Sequence, residues 1–286
     1  MSIPGGPVPP KSAPAKRSWA DVGPRLASAA VLIALTATAL YIGSYFFAAV
    51  VGAVYGGAFR EWETMVTRSP LTPMSWVLIG LVALSGLIYP LLGAAGSLGI
   101  IIVAAILAYA TAREGRVWRS AGIIIFGLLI LAALTMRGTT VDGIWVGVYL
   151  GTVVWMTDSA AFFTGRQIGG EKLAPDISPS KTWSGALGGL ALGTAAGVLV
   201  WTWFNDSPIW IGLLLSAAIS ILGQAGDLTE SAIKRHFRIK DSGDIIPGHG
   251  GLMDRLDSLT FGLFFVVIVG GLHAGFGAVA QGLLYW

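Results

Sequence analysis

Apolar runs of roughly 17 to 25 residues recur along almost the whole chain, and each is long enough to cross about 30 Å of hydrocarbon as a helix. Hydrophobic residues make up 55% of the 286 residues and charged residues only 12%, whereas about 25% of the residues in soluble domains are charged. A soluble helical protein would instead place a polar face on each helix. The sequence therefore predicts an all-α, polytopic integral membrane protein.

The apolar runs separate into nine candidate spans. These are 24–41, 43–60, 75–93, 95–112, 119–135, 142–166, 183–204, 208–233 and 257–280. The closest pairs meet at Gly43 and at the stretch GAAG that begins at Gly93, and glycine permits the tight reversals that such short connections need. The proline-rich residues 1–18 predict a disordered tail. Since no cleavage site follows its basic flank, we interpret the first span as a signal anchor.

Basic residues are distributed unequally between the two ends of these spans. If the N-terminus is cytosolic, 17 of the 18 Lys and Arg residues fall on the inner side, and only Arg137 falls outside. Cytosolic loops of membrane proteins carry such an excess of basic residues. The pattern predicts a cytosolic N-terminus and favours nine spans, because removal of one span would invert every later loop. Nucleic acid is not an expected partner, since the basic residues flank membrane edges and lie beside acidic ones.

Acidic residues inside two of the spans are the first candidates for a functional site. Asp158 lies in the sixth span, and Asp227 and Glu230 lie three residues apart in the eighth, where their side chains share a face. An ionised carboxylate in lipid costs several kcal/mol, so such groups usually face protein, water or a cation. Structural alternatives stay open: Glu230 can form an ion pair with Lys234 at the helix end, and Asp158 can bond a hydroxyl of another helix.

A polar loop with the sequence KDSGDIIPGHGGLMDRLD follows the eighth span. Three glycines surround His249 and present backbone N–H groups that suit oxyanions. Asp254 and Asp257 lie three residues apart at the start of the last span, where carboxylates also serve as helix caps. Carboxylates, a glycine-rich turn and several basic residues at a membrane boundary together favour a divalent cation chelated by phosphates.

The cation expected at this loop is magnesium. The chain has no cysteine and only three histidines, one of which, His273, lies in the last span, so an ordinary structural zinc site lacks its ligands. Oxygen ligands next to phosphate favour magnesium instead, and we interpret His249 as a phosphate contact. The chain contains neither a P-loop nor a kinase-type glycine loop, which excludes the standard ATPase classes.

A second polar segment, GRQIGGEKLAPDISPSKTWSG, lies between the sixth and seventh spans. Its SPSKT stretch places Ser178, Lys181 and Thr182 just before a predicted helix start, where backbone N–H groups favour phosphate. The same residues suit a helix cap, with the Lys181 ammonium extended to the membrane surface. Both interpretations stay open. The predicted topology places this segment on the same face as the loop after the eighth span.

These segments resemble the signature of the CDP-diacylglycerol synthase family, whose members are also called phosphatidate cytidylyltransferases. The family signature reads Ser, two residues, Lys-Arg, four residues, Lys-Asp, and then Pro-Gly-His-Gly-Gly, two residues, Asp-Arg, one residue, Asp. Thirteen positions match it at this spacing: Ser231, Lys234, Arg235, Lys240, Asp241, Pro247, Gly248, His249, Gly250, Gly251, Asp254, Arg255 and Asp257. The similarity extends to GDLTES, KLAPDISPSKTWSG and TDSAAFFTGR, whereas the first 140 residues or so share only general features such as REWE at 60–63.

The resemblance implies transfer of a cytidylyl group from CTP to phosphatidic acid, which releases pyrophosphate and forms CDP-diacylglycerol for phospholipid synthesis. It also implies magnesium as cofactor with potassium as a second candidate ion, a homodimer, and a bacterial inner membrane with the site facing the cytosol. On this basis residues 19–140 form an N-terminal group of helices. Residues 141–286 form the catalytic region, with cytosolic loops at 166–182 and 234–256.

The resemblance also suggests roles for individual residues. The predicted metal ligands are Asp227 and Asp254, with Asp158, Glu230 and Asp257 as further ligands or their partners. The predicted catalytic residues are Asp227, Asp254, Lys234, Arg235, His249 and Lys181. The predicted substrate-binding residues are Ser178, Lys181, Thr182, Ser231, Lys234, Arg235, Lys240, Gly248, His249, Gly250, Gly251 and Arg255.

A transporter with ion-binding acids is the main alternative from another functional class. It predicts acids toward both membrane faces, but the predicted outer side offers only Asp142 and Asp206. Among enzymes, the alternatives are a CDP-alcohol phosphotransferase and a polyprenol kinase. The aspartate-rich signature of the former family does not occur in this sequence.

Overall fold

The computed structural model describes residues 22–112, 114–243 and 250–286. The predicted tail, Gly248 and His249 therefore lie outside the described residues. The helices are α1 Val22–Ile42, α2 Ser44–Thr67, α3 Pro73–Thr111, α4 Arg116–Arg137, α5 Asp142–Ile168, α6 Trp183–Phe204, α7 Ile209–His236, α8 Asp257–Ala274 and α9 Val279–Leu284. Strands β1 Lys172–Ala174 and β2 Ser178–Thr182 lie between α5 and α6, and a 3-10 turn, Met253–Arg255, precedes α8.

Helices α3 to α8 dominate the fold. Within the described parts of the chain, these six helices are long and apolar enough to cross a membrane. Because each hides its backbone polar groups in internal hydrogen bonds, such helices are stable in hydrocarbon. This confirms the prediction of a helical, polytopic membrane protein, while the total of nine spans and the orientation of the N-terminus stay predictions.

Helix α3 consists of two halves that lie side by side. Gly93 interrupts it with φ 66° and ψ −164°, a conformation that glycine adopts without steric cost. Ser97 Oγ donates a hydrogen bond to the Ser85 carbonyl at 2.7 Å, although twelve residues of straight helix would rise about 18 Å. The chain therefore reverses at Gly93, as the separate predicted spans 75–93 and 95–112 require.

The C-terminal end of the chain differs from the prediction. The last span was predicted to continue to residue 280, but α8 ends at Ala274, where Gly275 has φ 87°. The chain then folds back as α9, and His273 Nδ1 lies 2.7 Å from the Gly282 carbonyl oxygen. The prediction was wrong because the residues after Gly275 are as apolar as those before it, so hydropathy does not show the break.

The predicted loop 166–182 is also more regular than expected. Helix α5 continues to Ile168, and β1 and β2 then form an antiparallel hairpin in which Lys172 pairs with Thr182. Pro175 and Pro179 disfavour helix in this segment. The strands have only three and five residues, which is too short for a recognisable alternation of apolar and polar side chains.

Helices α5 and α6 pack unusually closely through glycines four residues apart on α6. A Cβ atom added at Gly185 would lie 2.8 Å from the Ala161 carbonyl oxygen, and one at Gly189 would lie 2.8 Å from the Thr157 carbonyl oxygen. Small residues allow membrane helices to approach each other in this way. The resulting pair carries the hairpin at one end.

Contacts between distant segments define the two ends of the bundle. At the end that holds both polar segments, here called the site end, Arg68 Nη2 donates to the Phe237 carbonyl at 2.9 Å. At the opposite end, Arg137 Nε donates to the Leu40 carbonyl at 2.5 Å. Arg137, the one basic residue predicted outside, therefore satisfies a carbonyl that the end of α1 leaves without a helical partner.

Candidate active site

A cavity of about 610 Å³ opens between α5, the hairpin, α6 and α7. Its size falls in the range of small-molecule sites. Charged and polar side chains line it: Asp158, Arg166, Lys172, Ser180, Lys181, Thr182, Gln224 and Asp227. The structure thus brings together the acids of the sixth and eighth predicted spans and the SPSKT segment, which are far apart in sequence.

Helix α5 supplies one wall of the cavity. Asp158, Phe162 and Arg166 follow each other at intervals of four residues and therefore share a face. Ser258 of α8 donates a hydrogen bond to Asp158 at 3.2 Å, so the hydroxyl partner considered for this acid is present. Arg166 and Lys172 were not predicted as site residues. For Arg166 the helical spacing from Asp158 was a usable signal, whereas the position of Lys172 depends on the hairpin.

The hairpin directs Lys181 toward α7. Lys181 Nζ lies 2.5 Å from Asp227 Oδ2, and Lys181 lines the cavity. Thr182 Oγ1 accepts the Gly185 backbone N–H at 3.1 Å and caps α6. The two interpretations of the SPSKT segment thus apply to different residues: Thr182 is the cap, and Lys181 places its charge in the cavity.

Lys234 holds a second group of charges together. Its ammonium lies 2.8 Å from Glu230 Oε2 and 2.5 Å from Asp254 Oδ1. The helix-end ion pair considered for Glu230 is therefore present, but it is shared with an acid of the following loop. An ammonium group between two partly buried carboxylates offsets the cost of their desolvation.

Asp254 is held ionised by its surroundings. Its Oδ2 accepts the backbone N–H groups of Gly251 at 3.1 Å and Ser242 at 3.2 Å. Burial alone would raise the pKa of Asp254, but hydrogen bonds from Lys234 and Ser242 outweigh it and hold the pKa below the ordinary value. A carboxylate with a lowered pKa is charged at neutral pH and is available as a cation ligand.

The two charge groups are electrostatically connected. Asp227 interacts with the charges of Asp158 and Asp257, and Glu230 interacts with those of Asp257 and Asp254. The five acids predicted as metal ligands therefore influence one another electrostatically across α5, α7, the 3-10 turn and the start of α8. Neighbouring carboxylates repel one another and need cations nearby to stay ionised. Lys181 and Lys234 supply part of this positive charge.

The donor atoms of these five acids suit magnesium. Across the described ranges, no group of three or more His, Cys, Asp or Glu side chains is arranged to hold a metal ion. However, magnesium commonly binds proteins through one or two carboxylates and completes its shell with water and substrate phosphates. Asp227 and Asp254 supply carboxylate oxygens of this kind, and in this structure each of them is paired with a lysine.

Arg235 contacts backbone carbonyls instead of the cavity. Its Nε donates to Ile177 at 3.2 Å, and its Nη1 donates to Ile239 at 2.9 Å. The guanidinium thereby ties the hairpin to the loop after α7. The substrate-binding role predicted for Arg235 stays a prediction.

Among the described residues, Ser178, Ser231, Lys240, Gly250, Gly251 and Arg255 were also predicted to bind substrate but do not line the cavity. Ser231 Oγ donates to Asp227 at 3.5 Å, and Ser178 Oγ lies 3.5 Å from Ser180 Oγ. Lys240 and Arg255 are exposed. Gly250 has φ 78°, which favours glycine at this position.

Comparison with known proteins decides the family. The family model described as "Cytidylyltransferase family" matches residues 24–273. This chain belongs to the cytidylyltransferase family. The match runs from α1 through α8, and it therefore includes both polar segments and the N-terminal helices.

Several relatives of this cytidylyltransferase are named phosphatidate cytidylyltransferase. The protein from Brucella suis biovar 1 (strain 1330) is 37% identical over 257 residues, which cover 87% of this chain and 93% of that protein. The protein from Staphylococcus haemolyticus (strain JCSC1435) is 46% identical over 124 residues, or 43% of this chain and 48% of that protein. The protein from Bacillus subtilis (strain 168) is 41% identical over 145 residues, or 50% of this chain and 54% of that protein.

The N-terminal helices of the cytidylyltransferase also reach the site. Glu61 of α2 accepts the backbone N–H groups of Leu252 and Met253 at 2.8 and 2.9 Å. Sequence reasoning missed this residue, because a separation of 191 positions hides the contact. The available signals were the acidic pair Glu61 and Glu63 at the end of an apolar run and the REWE stretch at 60–63 that resembles the family.

Proposed function

We propose that this protein is a phosphatidate cytidylyltransferase, which transfers the cytidylyl group of CTP to phosphatidic acid and releases pyrophosphate. The observation that carries the proposal is the meeting of Asp227 and Lys181 in one cavity, with Asp254 and Lys234 beside it, in a chain of the cytidylyltransferase family. In the reaction, a phosphate oxygen of phosphatidic acid bonds to the α-phosphorus of CTP. The bond from that phosphorus to the β-phosphate oxygen breaks.

The chemistry requires positioning more than proton transfer. Phosphomonoesters have a second pKa of about 6, so the attacking phosphate is largely ionised at neutral pH without a dedicated base. The protein must bring two polyanions together and neutralise charge at the reacting phosphorus. Arg166, Lys172 and Lys181 line the cavity and supply the cationic groups that this task needs.

We infer that magnesium is the cofactor and that Asp227 and Asp254 hold it, with Asp158, Glu230 and Asp257 nearby. Bound magnesium would neutralise charge on the triphosphate oxygens. Lys181 and Lys234 pair with the carboxylates in this structure. Phosphate oxygens offer both lysines alternative partners, so substrate binding would free carboxylate oxygens. Potassium is a second candidate ion.

We also infer a bacterial inner membrane location with the site end toward the cytosol. The strong bias of Lys and Arg toward that end supports this orientation. CTP would then arrive from the aqueous side, while the acyl chains of phosphatidic acid remain in the bilayer. The proposed assembly is a homodimer.

The decisive experiment supplies the purified protein with labelled CTP, phosphatidic acid and magnesium. We expect lipid-linked CMP and pyrophosphate in equal amounts. Asp227→Asn and Asp254→Asn should each lower turnover by at least about 100-fold while the protein stays folded and inserted in the membrane. Asp142→Asn, at the opposite end of the bundle, is the matched control and should retain activity.

Two outcomes would contradict this proposal. Absence of lipid-linked CMP would exclude cytidylyl transfer, and uptake of ions or solutes by vesicles without turnover would favour a transporter. Unchanged turnover in Asp227→Asn or Asp254→Asn would refute the metal assignment alone.

A further inference from the structure

Glu61 is a buried carboxylate that belongs to the N-terminal helices but bonds the loop of the site. Its side chain lies near the end of α2 and is 2% exposed. Oε1 accepts the Leu252 N–H at 2.8 Å, and Oε2 accepts the Met253 N–H at 2.9 Å and lies 2.9 Å from the Ser242 hydroxyl oxygen. Both oxygens are therefore committed to residues on either side of the glycine-rich sequence: Ser242 before it, and Leu252 and Met253 after it.

These bonds cap the 3-10 turn that presents Asp254. The first N–H groups of a helical turn have no partner within it, and a Ser, Thr, Asp or Asn just before the turn usually accepts them. Here the preceding residue is Leu252, which makes no side-chain cap. The carboxylate of Glu61 performs this function from another helix.

The capped segment also holds one oxygen of Asp254. Ser242 Oγ lies 2.9 Å from Asp254 Oδ2 as well as from Glu61 Oε2, and the Gly251 N–H donates to the same Asp254 oxygen at 3.1 Å. A Cβ atom at Gly251 would lie 2.6 Å from Glu61 Oε2, so the backbone approaches the carboxylate closely. Movement of this backbone would shift Asp254 relative to Lys234 on α7.

Glu63 provides a natural comparison on the same helix. It is 0% exposed, but it accepts the Ser75 hydroxyl at 2.8 Å and Arg119 Nε at 3.0 Å. Both partners lie within the N-terminal helices. Glu61 and Glu63 therefore match in residue type, helix and burial but differ in the part of the protein that they bond.

We propose that Glu61 is a positioning residue: it fixes the turn that carries Asp254 and thereby couples the N-terminal helices to the site. This inference rests on the proposed cytidylyl transfer. Glu61 touches no reacting atom and acts through the backbone of Leu252 and Met253. Its loss should therefore reduce the rate of the chemical step more than it weakens the capture of phosphatidic acid.

Kinetics of matched variants test the inference. In Glu61→Gln, either orientation of the amide would place its NH₂ donor against a backbone N–H, of Leu252 or of Met253. We expect kcat to fall about 10- to 100-fold while the KM for phosphatidic acid changes less than about threefold. Glu61→Asp keeps the charge and should restore part of the rate. Glu63→Gln should lower the melting temperature yet keep kcat per folded molecule within about twofold, because its partners lie away from Asp254.

A spectroscopic readout separates this inference from the proposed function. The chain has no cysteine, so Asp241→Cys introduces a unique thiol for a spin label beside Ser242. The label should become more mobile with Glu61→Gln and remain unchanged with Glu63→Gln. An unchanged label or a parental kcat in Glu61→Gln would overturn the inference. If Glu61→Gln does not fold, kcat and the mobility of the label are compared between Glu61→Asp and the parent instead. If the protein without these substitutions shows no transferase activity, the proposed function is refuted. The mobility of the label would then still test whether Glu61 positions the loop.

Discussion

At the residue scale, two lysines define the charge arrangement of the site. Lys181 pairs with Asp227, and Lys234 bridges Glu230 and Asp254. Removal of one partner from such a partly buried pair leaves a charge without compensation, which costs more than the pair itself contributes. The lysines therefore stabilise these carboxylates in addition to any contact with substrate phosphates.

Asp254 gives this arrangement a measurable pH dependence. Burial acts to raise its pKa from the ordinary 3.8, but hydrogen bonds from Lys234 and Ser242 lower it further than burial raises it. A carboxyl whose folded-state pKa is lowered stabilises the fold above its unfolded pKa, and this contribution is lost as the pH falls through the folded value. We expect the melting temperature of the parent to exceed that of Asp254→Asn at pH 6, and the difference to shrink as the pH falls from about 5 to about 3.

Thermal unfolding in detergent across that pH range checks the expectation. Asp142→Asn serves as the control, because Asp142 lies at the opposite end of the bundle. A difference between the parent and Asp254→Asn that stays constant down to pH 3 would contradict the role assigned to the ionised carboxylate.

Sequence reasoning identified residue types at the site better than it identified their partners. Asp158 and Asp227 were recognisable because a carboxylate within an apolar span has few stable environments. The pairing of Lys181 with Asp227 was not predictable, since the lysine suited a membrane surface equally well until the hairpin fixed its direction. Glu61 was missed because its partners are backbone N–H groups, which any sequence provides.

At the element scale, the contact between α5 and α6 depends on glycine. Alanine at Gly189 would place a Cβ atom 2.8 Å from the Thr157 carbonyl oxygen, and a backbone atom cannot move aside without separating the helices. Overpacking of this kind costs about 1 to 3 kcal/mol. We expect Gly189→Ala to lower the melting temperature and, because this pair frames the cavity, to reduce CTP turnover as well.

Gly80→Ala is the control for this prediction. No atom lies within 4 Å of the position that a Cβ atom would take at Gly80. Since alanine favours helix more than glycine does by about 1 kcal/mol, the control should unfold at the parental temperature or slightly above it. Equal melting temperatures for Gly189→Ala and Gly80→Ala would show that the close approach of α5 and α6 contributes nothing to stability.

Elements were predictable wherever length and hydropathy decided them. The predicted span 183–204 coincides with α6, because polar residues bound the apolar run on both sides. The end of α8 and the presence of α9 were missed, since Gly275 lies in a continuous apolar run. Hydropathy alone also did not reveal the glycine spacing on α6 as a packing surface, although small residues at intervals of four are a known sign of close helix contact.

At the scale of the whole molecule, both halves of the chain build the site end. Most of the resemblance found in the sequence lay in the C-terminal half. Even so, Glu61 of α2 binds the loop, and Arg68, which follows α2, binds the carbonyl of Phe237, which follows α7. These contacts cross the boundary predicted near residue 140. Residues of the N-terminal half therefore contact the site end directly.

The orientation of the bundle is the last prediction. The charge bias predicts that the site end faces the cytosol, because cytosolic loops retain Lys and Arg. Since the chain has no cysteine, Asp241→Cys at the site end and Asp206→Cys between α6 and α7 each provide a single exposed thiol. In intact spheroplasts, we expect a membrane-impermeant maleimide to label Asp206→Cys and to reach Asp241→Cys only after the membrane is permeabilised. The cysteine-free parent reports background labelling, and the reverse pattern would place the site, and hence CTP binding, on the outer face.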